Sequence, residues 1–340
     1  MISTLESAPP HLSEAEARDI AAAYFGLDGQ ARRLVSERDA NFRIEQADGQ
    51  CFVLKVTNPA EPSSLTDLQT KALLHIEAAD PGLPVPRLVP TRDGDHELAL
   101  ALDGATCIAR VLTYLPGQPL HLLDGTSRQR RNIGACLARL GLALKDFSHP
   151  EGDHDLLWDI RHASRLRQFT TYIDDTCRRA LVESFLERFA TEVEPHFPAL
   201  RAQLVHNDFN PHNILIGHDE AVSGIIDFGD MVLTPLVNDL AIATAYHVCA
   251  EGHPLDGIAE MVGAYNDVTP LLPLEIDLLF DLIAARFATT VVITHWRAQC
   301  HPANSAYILR NNPRAWLGLE RFARLSRGEA RAVFAAACAL

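Results

Sequence analysis

Three short stretches of this 340-residue chain hold the residue types that phosphoryl transfer needs. VHNDFNPHNILI, residues 205–216, carries His206, Asp208 and Asn213 in a polar loop between apolar runs. GIIDFGD places Asp227 at the end of a β-branched run, fourteen residues after Asn213. A carboxylate can orient an attacking hydroxyl, while an amide oxygen and a second carboxylate are hard oxygen ligands for magnesium bridging phosphates. In FVLKV, Lys55 alternates with apolar residues, the strand setting from which a lysine grips α- and β-phosphates. Each feature alone arises by chance in long sequences; in this order and spacing they form one inventory.

The elements that must position these residues change character along the chain. Ser13 and Glu16 form a capping box for a helix that stops at Gly26, and two β-prone runs then flank an Asp48-Gly49 turn. Leu65, Leu68, Ala72, Leu73 and Ile76 recur at helical spacing. The Pro-rich PGLPVPRLVP cannot continue that helix and leads to two more strands, HELALAL and TCIARVLTYL, separated by Asp103-Gly104. Beyond LPGQPL the pattern is mainly helical, in the runs Ile133 to Phe147 and Leu181 to Val193 and again from Pro235 onward. The exception is residues 204–234, where QLVHND, NILIG and SGIIDFGD read as strands around loops. A boundary near Pro116 to Pro119 therefore divides an N-terminal unit, residues 1–115, from a C-terminal unit, residues 116–340.

Composition narrows the function classes. Apolar residues make up 47% and charged residues 22%, so the chain is globular rather than disordered or fibrous. Thirty Lys+Arg against 44 Asp+Glu leave a net charge of −14, a field that repels nucleic-acid backbones. No uncharged apolar run reaches the roughly 18 residues a membrane helix needs, and the start, MISTLESAPPHLSEAEARD, has Glu and Pro where a signal peptide needs a basic end and an apolar stretch. A soluble cytoplasmic protein without nucleic-acid or membrane partners is expected. Seven scattered cysteines, with no CxxC pair, speak against a disulfide framework and a zinc ribbon.

The order VLKV, HNDFNPHN, IIDFGD resembles the aminoglycoside phosphotransferase and choline kinase superfamily over roughly Ala17 to Trp316. LVHNDFNPHNILI, SGIIDFGDM and TPLVNDLAIATAY are similar in wording to its hydroxylysine kinase group. The resemblance implies an α+β, protein-kinase-like, two-lobed fold, with a small N-terminal sheet lobe, a larger helical lobe and nucleotide in the crevice between. It implies Asp208 as catalytic base, Asn213 and Asp227 as magnesium ligands, Lys55 as phosphate clamp and His206 as a brace for the loop. Adenine or guanine would lie against the backbone from Arg110 through Leu112 to Tyr114. SERDANF, before Lys55, could cover the phosphates; it lacks the GxGxxG of protein kinases, which excludes a protein kinase.

Kinases of this fold pair the strand lysine with a glutamate of the following helix. Aligning DLQTKALLHI on its apolar positions puts Gln69 there, with Asp67 second. The expected reaction moves the γ-phosphoryl group of ATP or GTP, with Mg2+, to a hydroxyl of a small amine or hydroxylated amino acid. Alternatives are homoserine, choline, ethanolamine or aminoglycoside kinase activity, or a non-catalytic nucleotide-binding module, which has no chemical reason to keep all four motif residues.

Acceptor residues carry no motif. Trp158, Asp159, Arg161 and Arg165 of a predicted helix, LLWDIRHAS, and Asp230 beside the DFG-like triplet are the candidates, the aspartates for an ammonium group and the arginines for a carboxylate. A Trp in a helix also serves a core, and Asp230 could equally bind loop backbone. Asp239, at the start of an apolar helical run, reads as a cap for exposed amides. His206, Asp208 and His212 have the chemistry of zinc ligands, a reading that leaves Asn213 and Asp227 without a task.

Overall fold

The computed structural model describes residues 7, 9–36, 38–102 and 104–339. The reading of the extreme N-terminus, Glu37 of SERDANF and Asp103 of the second turn lie outside them.

The N-terminal region is a twisted antiparallel sheet backed by one helix. Helix α1 (Glu14–Phe25) carries the expected capping box, with Ser13 N donating to Glu16 Oε2 at 2.8 Å, and ends at Gly26 in the left-handed region, φ 72°. Strands β1 (Gly29–Arg33), β2 (Ala40–Gln46) and β3 (Cys51–Val56) follow, the last two joined at Asp48-Gly49. Next come α2 (Ser63–Ala79), β4 (Leu88–Val89), β5 (Leu98–Leu102) and β6 (Ala105–Thr113). The strand order is β1-β2-β3-β6-β4, with β5 also paired to β6.

Alternation decides which face each strand residue serves. Ala40, Phe42 and Ile44 of β2 and Leu54 and Val56 of β3 point at α1, where they meet Ala17, Ala21 and Phe25 in one core. Lys55, between two core residues, is thereby turned to the opposite face, opposite Asn41 and Arg110 in register. The apolar face of α2, Leu68, Ala72, Leu73 and Ile76, joins the larger core of the helical region instead.

Gly117 carries the chain out of the sheet at φ 131°, so close to the next segment that a Cβ there would meet Ser223 Oγ at 2.2 Å. Strand β7 (Gln118–Pro119) then pairs with β9, below. Helices α3 (Ser127–Ala143) and α4 (Thr176–Glu192) match the expected helical runs. Between them, residues 160–172 form a 3-10 helix kinked at His162, so Trp158 precedes a helix rather than lying in one. Four short strands, β8 (Ala202–Val205), β9 (Ile214–Ile216), β10 (Val222–Ile225) and β11 (Val232–Pro235), make two small sheets, β10-β9-β7 and β11-β8. Helices α5 (Leu236–Thr244), α6 (Asp256–Asn266), α7 (Pro273–Cys300), α8 (Ser305–Ile308), α9 (Asn312–Phe322) and α10 (Arg327–Ala337) complete the chain. Twenty-eight residues long and apolar on nearly every side, α7 is the buried axis of this region. Among the described residues no helix is long and apolar enough to cross a membrane.

Candidate active site

A cleft of about 730 Å³ lies between the sheet and the helical region. Lys55, Asp208, Asn213, Asp227, Asp230 and Trp158 all line it.

Its floor is built by two loops locked to each other. The ring of His206 joins them: Nδ1 accepts from Asp208 N at 3.3 Å, which leaves Nε2 to donate to Ile226 O at 3.1 Å. His206 is fully buried, edge-on to Phe209 and Phe228, and burial lowers its pKa against the pull of Asp239, so the ring stays neutral. Asp239 caps this loop rather than its own helix, accepting from Asn207 N at 2.9 Å and His206 N at 3.4 Å. That contact holds Asn207 at φ 62°, a conformation non-glycine residues adopt at a cost. With His206 so engaged and the His212 ring packed against that of His121, centroids 4.0 Å apart and planes tilted by 31°, the histidines do not converge with Asp208 on a zinc ion.

On this floor Asp208 accepts from Asn213 Nδ2 at 2.8 Å and from Arg286 Nη2 at 3.1 Å. Burial and then the negative charge of Asp230 push its carboxyl up to about 7, against the pull of Arg286. Asn213 spends its amide hydrogens on Asp208, which leaves its oxygen for a ligand. Asp227, at φ 62°, sits 3.7 Å from Lys55 Nζ. Lys55, ahead of opposing burial, lowers the pKa of Asp227 and keeps it a carboxylate. One carboxylate and one amide oxygen suit magnesium, which prefers a few protein oxygens plus phosphates and water to a full protein cage. No group of three His, Cys, Asp or Glu side chains among the described residues is placed to hold a metal.

The partner of Lys55 differs from expectation. Its Nζ meets Asp39 Oδ2 at 3.0 Å, and although burial opposes charge here, Asp39 and Asp227 outweigh it and raise the lysine's pKa. Gln69 is turned away: its Oε1 accepts from Arg110 at 2.7 Å and its Nε2 donates to Glu61 at 3.2 Å. Asp67 is taken by Lys71 and His149. The hairpin register supplies the reason, since Asn41 opposes Lys55 and Asp39, two residues earlier, is its diagonal neighbour on the same face. Of the backbone expected against the base, Arg110 does not line the cleft, and its guanidinium is buried against Thr70 and Gln69. Leu112 and Tyr114 do line the cleft, at the exit from the sheet.

Three acceptor candidates are corrected too. Asp159 is buried, caps the 3-10 helix through Arg161 N at 2.9 Å and accepts from Thr234 Oγ1 at 2.9 Å. Arg161 pairs with Asp153 and Asp159, and Arg165 with Asp155; none of the three lines the cleft. These residues precede or lie in a 3-10 helix kinked at His162 rather than in one unbroken α-helix.

On the helical side, cleft-lining cations come instead from α7 and the segment after it. Arg286, Thr290, Thr294 and Arg297 recur every three to four residues along one face of α7, and Arg310 follows. Arg286 is fully buried between the rings of Trp158 and Tyr246, 5.3 and 5.8 Å from their centroids, and also donates to Tyr246 Oη at 2.9 Å. A charged residue inside so apolar a run was the signal for it. The geometry thus offers a carboxylate poised near neutrality, two oxygen ligands for a cation, a lysine held for phosphate, and a polar annex beyond.

A model of the phosphotransferase enzyme family, APH, matches residues 30–271. The chain belongs to this family. It is 28% identical over 342 residues to the hydroxylysine kinase of Mus musculus, covering 93% of this chain and 90% of that protein. It is also 28% identical over 343 residues to the hydroxylysine kinase of Danio rerio, covering 96% of each. Among solved structures it is similar to an amicoumacin kinase in complex with AMP-PNP, Ca2+ and Ami, with TM-score 0.69, 15% identity, and coverage of 94% of this chain and 97% of that one. A microcompartment-associated aminopropanol kinase superposes with TM-score 0.66 at 18% identity over 96% of both chains. These likenesses show the protein-kinase-like, two-lobed α+β fold, and the family makes this phosphotransferase an enzyme that moves phosphate to a hydroxyl.

Proposed function

We propose that this phosphotransferase uses Mg2+ with ATP or GTP to phosphorylate a hydroxyl of a small hydroxylated amino acid of the hydroxylysine type. The observation that carries the reading is the convergence of Lys55, Asp208, Asn213 and Asp227 on one cleft, in a chain similar along nearly its whole length to hydroxylysine kinases.

In this reading Asp208 orients the acceptor hydroxyl and takes its proton, a task suited to a carboxyl pushed up to about 7. Asn213 anchors Asp208 and, with Asp227, supplies oxygen to the metal; Lys55, held by Asp39, receives the donor phosphates. Magnesium, when bound, neutralises the phosphate charge. The base of the nucleotide rests on the backbone of Leu112 to Tyr114. We place the lobe division at 115/116, where the chain leaves the large sheet.

The cleft also favours a zwitterionic acceptor. Its carboxylates, Asp39, Asp208, Asp227 and Asp230, are tied through Lys55, Arg38 and Arg286 into the end where phosphate would transfer. Arg310, on the segment after α7, also lines the cleft. An acceptor with an ammonium group near its hydroxyl and a carboxylate farther off meets compensating charge at both ends. A polyamine sugar would not. Trp158 walls the acceptor side. Seven free thiols fit a reducing, cytoplasmic setting, and the net charge of −14 fits the absence of a nucleic-acid partner.

A phosphoryl-acceptor screen over 5-hydroxylysine, homoserine, choline, ethanolamine and aminoglycosides, run with ATP and with GTP, tests this. Turnover greatest on 5-hydroxylysine is expected; phosphorylation confined to acceptors lacking a carboxylate would overturn the amino-acid reading.

A further inference from the structure

The sheet side of the cleft carries a second cation besides Lys55, and it faces an unexpected partner. Arg38 lies in the loop between β1 and β2, where this chain lacks the glycine-rich sequence that covers phosphates in protein kinases. Its Nη2 reaches across the cleft to Asp230 Oδ1 at 3.1 Å, a contact between residues 192 apart in sequence. The guanidinium rests on the Asp227 to Asp230 turn, 3.6 Å from where a Cβ on Gly229 would sit. Its side chain is 29% exposed, so it retains access to the cleft.

Both partners of this pair have a stronger use once substrates arrive. The Arg38–Asp230 pair rests on a single contact, whereas a guanidinium on a phosphate makes paired, charge-assisted hydrogen bonds. Asp230 in turn lines the same cleft as Asp208, on the side where the acceptor hydroxyl would lie. We propose that Arg38 is a ligand of the donor's terminal phosphates which Asp230 holds parked in the empty enzyme, and that its transfer to the phosphates frees Asp230 for a cationic acceptor. Nucleotide then precedes acceptor, because the acceptor's carboxylate partner is masked until Arg38 leaves. This rests on the reading of the cleft as a kinase site, and it adds a coupling between its two substrates.

The test uses the full-length protein with Mg2+, and AMP-PNP and AMP as probes in calorimetry, so it needs no knowledge of the acceptor. Arg38→Ala should weaken AMP-PNP binding about tenfold or more and leave AMP unchanged, with Arg38→Lys keeping most of the affinity. Asp230→Asn should tighten AMP-PNP a few-fold in the wild-type background and have no effect when Arg38 is already alanine. Equal tightening by Asp230→Asn with and without Arg38 would show simple charge repulsion and overturn the parking contact. Equal weakening of AMP and AMP-PNP by Arg38→Ala would overturn the phosphate role. Wild-type protein that binds neither nucleotide would instead refute the kinase reading itself.

Discussion

Replacing Asp208 with asparagine should make the empty enzyme more stable, and by an amount that depends on pH. Burial, then the charge of Asp230, raise this carboxyl from 3.8 to about 7 even with Arg286 at 3.1 Å. At roughly 1.36 kcal/mol per unit, holding it ionised in the folded chain costs about 4 kcal/mol at pH 8. Because the folded pKa exceeds the unfolded one, that stability is fully present below about pH 4 and is lost as pH rises to about 7. Asparagine has the same shape and no proton to lose. Its oxygen can still accept from Arg286, but its amide must turn away from Asn213 Nδ2, which now donates at 2.8 Å, so the net gain should be about 2–4 kcal/mol. Urea unfolding of both proteins without nucleotide at pH 5, 6, 7 and 8 measures it. The gap should widen up to about pH 7 and then level off. A gap that ignores pH, or a variant less stable at pH 8, would refute the reasoning and mean that Asp208 and Arg286 form a stabilising ion pair.

Further outcomes follow from the other contacts. Asp39→Asn should raise the KM for ATP about tenfold by freeing Lys55, while Gln69→Ala leaves it unchanged; steady-state kinetics with both variants separates the two assignments. Asp227→Ala should weaken AMP-PNP binding far more with Mg2+ than without it in calorimetry, and an equal loss would reduce Asp227 to a structural part. Arg310→Ala should raise the KM for 5-hydroxylysine several-fold but not that for the matching amino alcohol without a carboxylate, whereas Arg161→Ala and Arg165→Ala leave both unchanged.

The parts of the site that were legible in sequence are those whose neighbours are close in sequence. His206, Asp208 and Asn213 share one loop, Asp227 ends a strand, and the alternation of Leu54, Lys55 and Val56 already sets the lysine on the face opposite the core. The capping box of α1 and the Asp48-Gly49 hairpin are equally local. Asp39 was within reach, since counting register back from that turn puts it diagonal to Lys55. Arg286 stood out in sequence only as a charge within an apolar run; its contact with Asp208 was not readable, because it spans 78 residues and exists only once α7 is packed through the helical region. Asp159, Arg161 and Arg165 differ from expectation for the converse reason: the expectation assumed a continuous helix, whereas Asp159 caps a 3-10 helix and accepts from Thr234, and both arginines pair with nearby aspartates.

The central claim, that Asp208 orients and deprotonates an acceptor hydroxyl, is tested most directly by transfer of labelled γ-phosphate from ATP to 5-hydroxylysine by wild-type enzyme and by Asp208→Asn, each first shown to bind AMP-PNP. The wild type should form phosphorylated hydroxylysine, and the variant should bind nucleotide as well but lose at least about 10²-fold in turnover. Unchanged turnover in the folded variant would contradict the account.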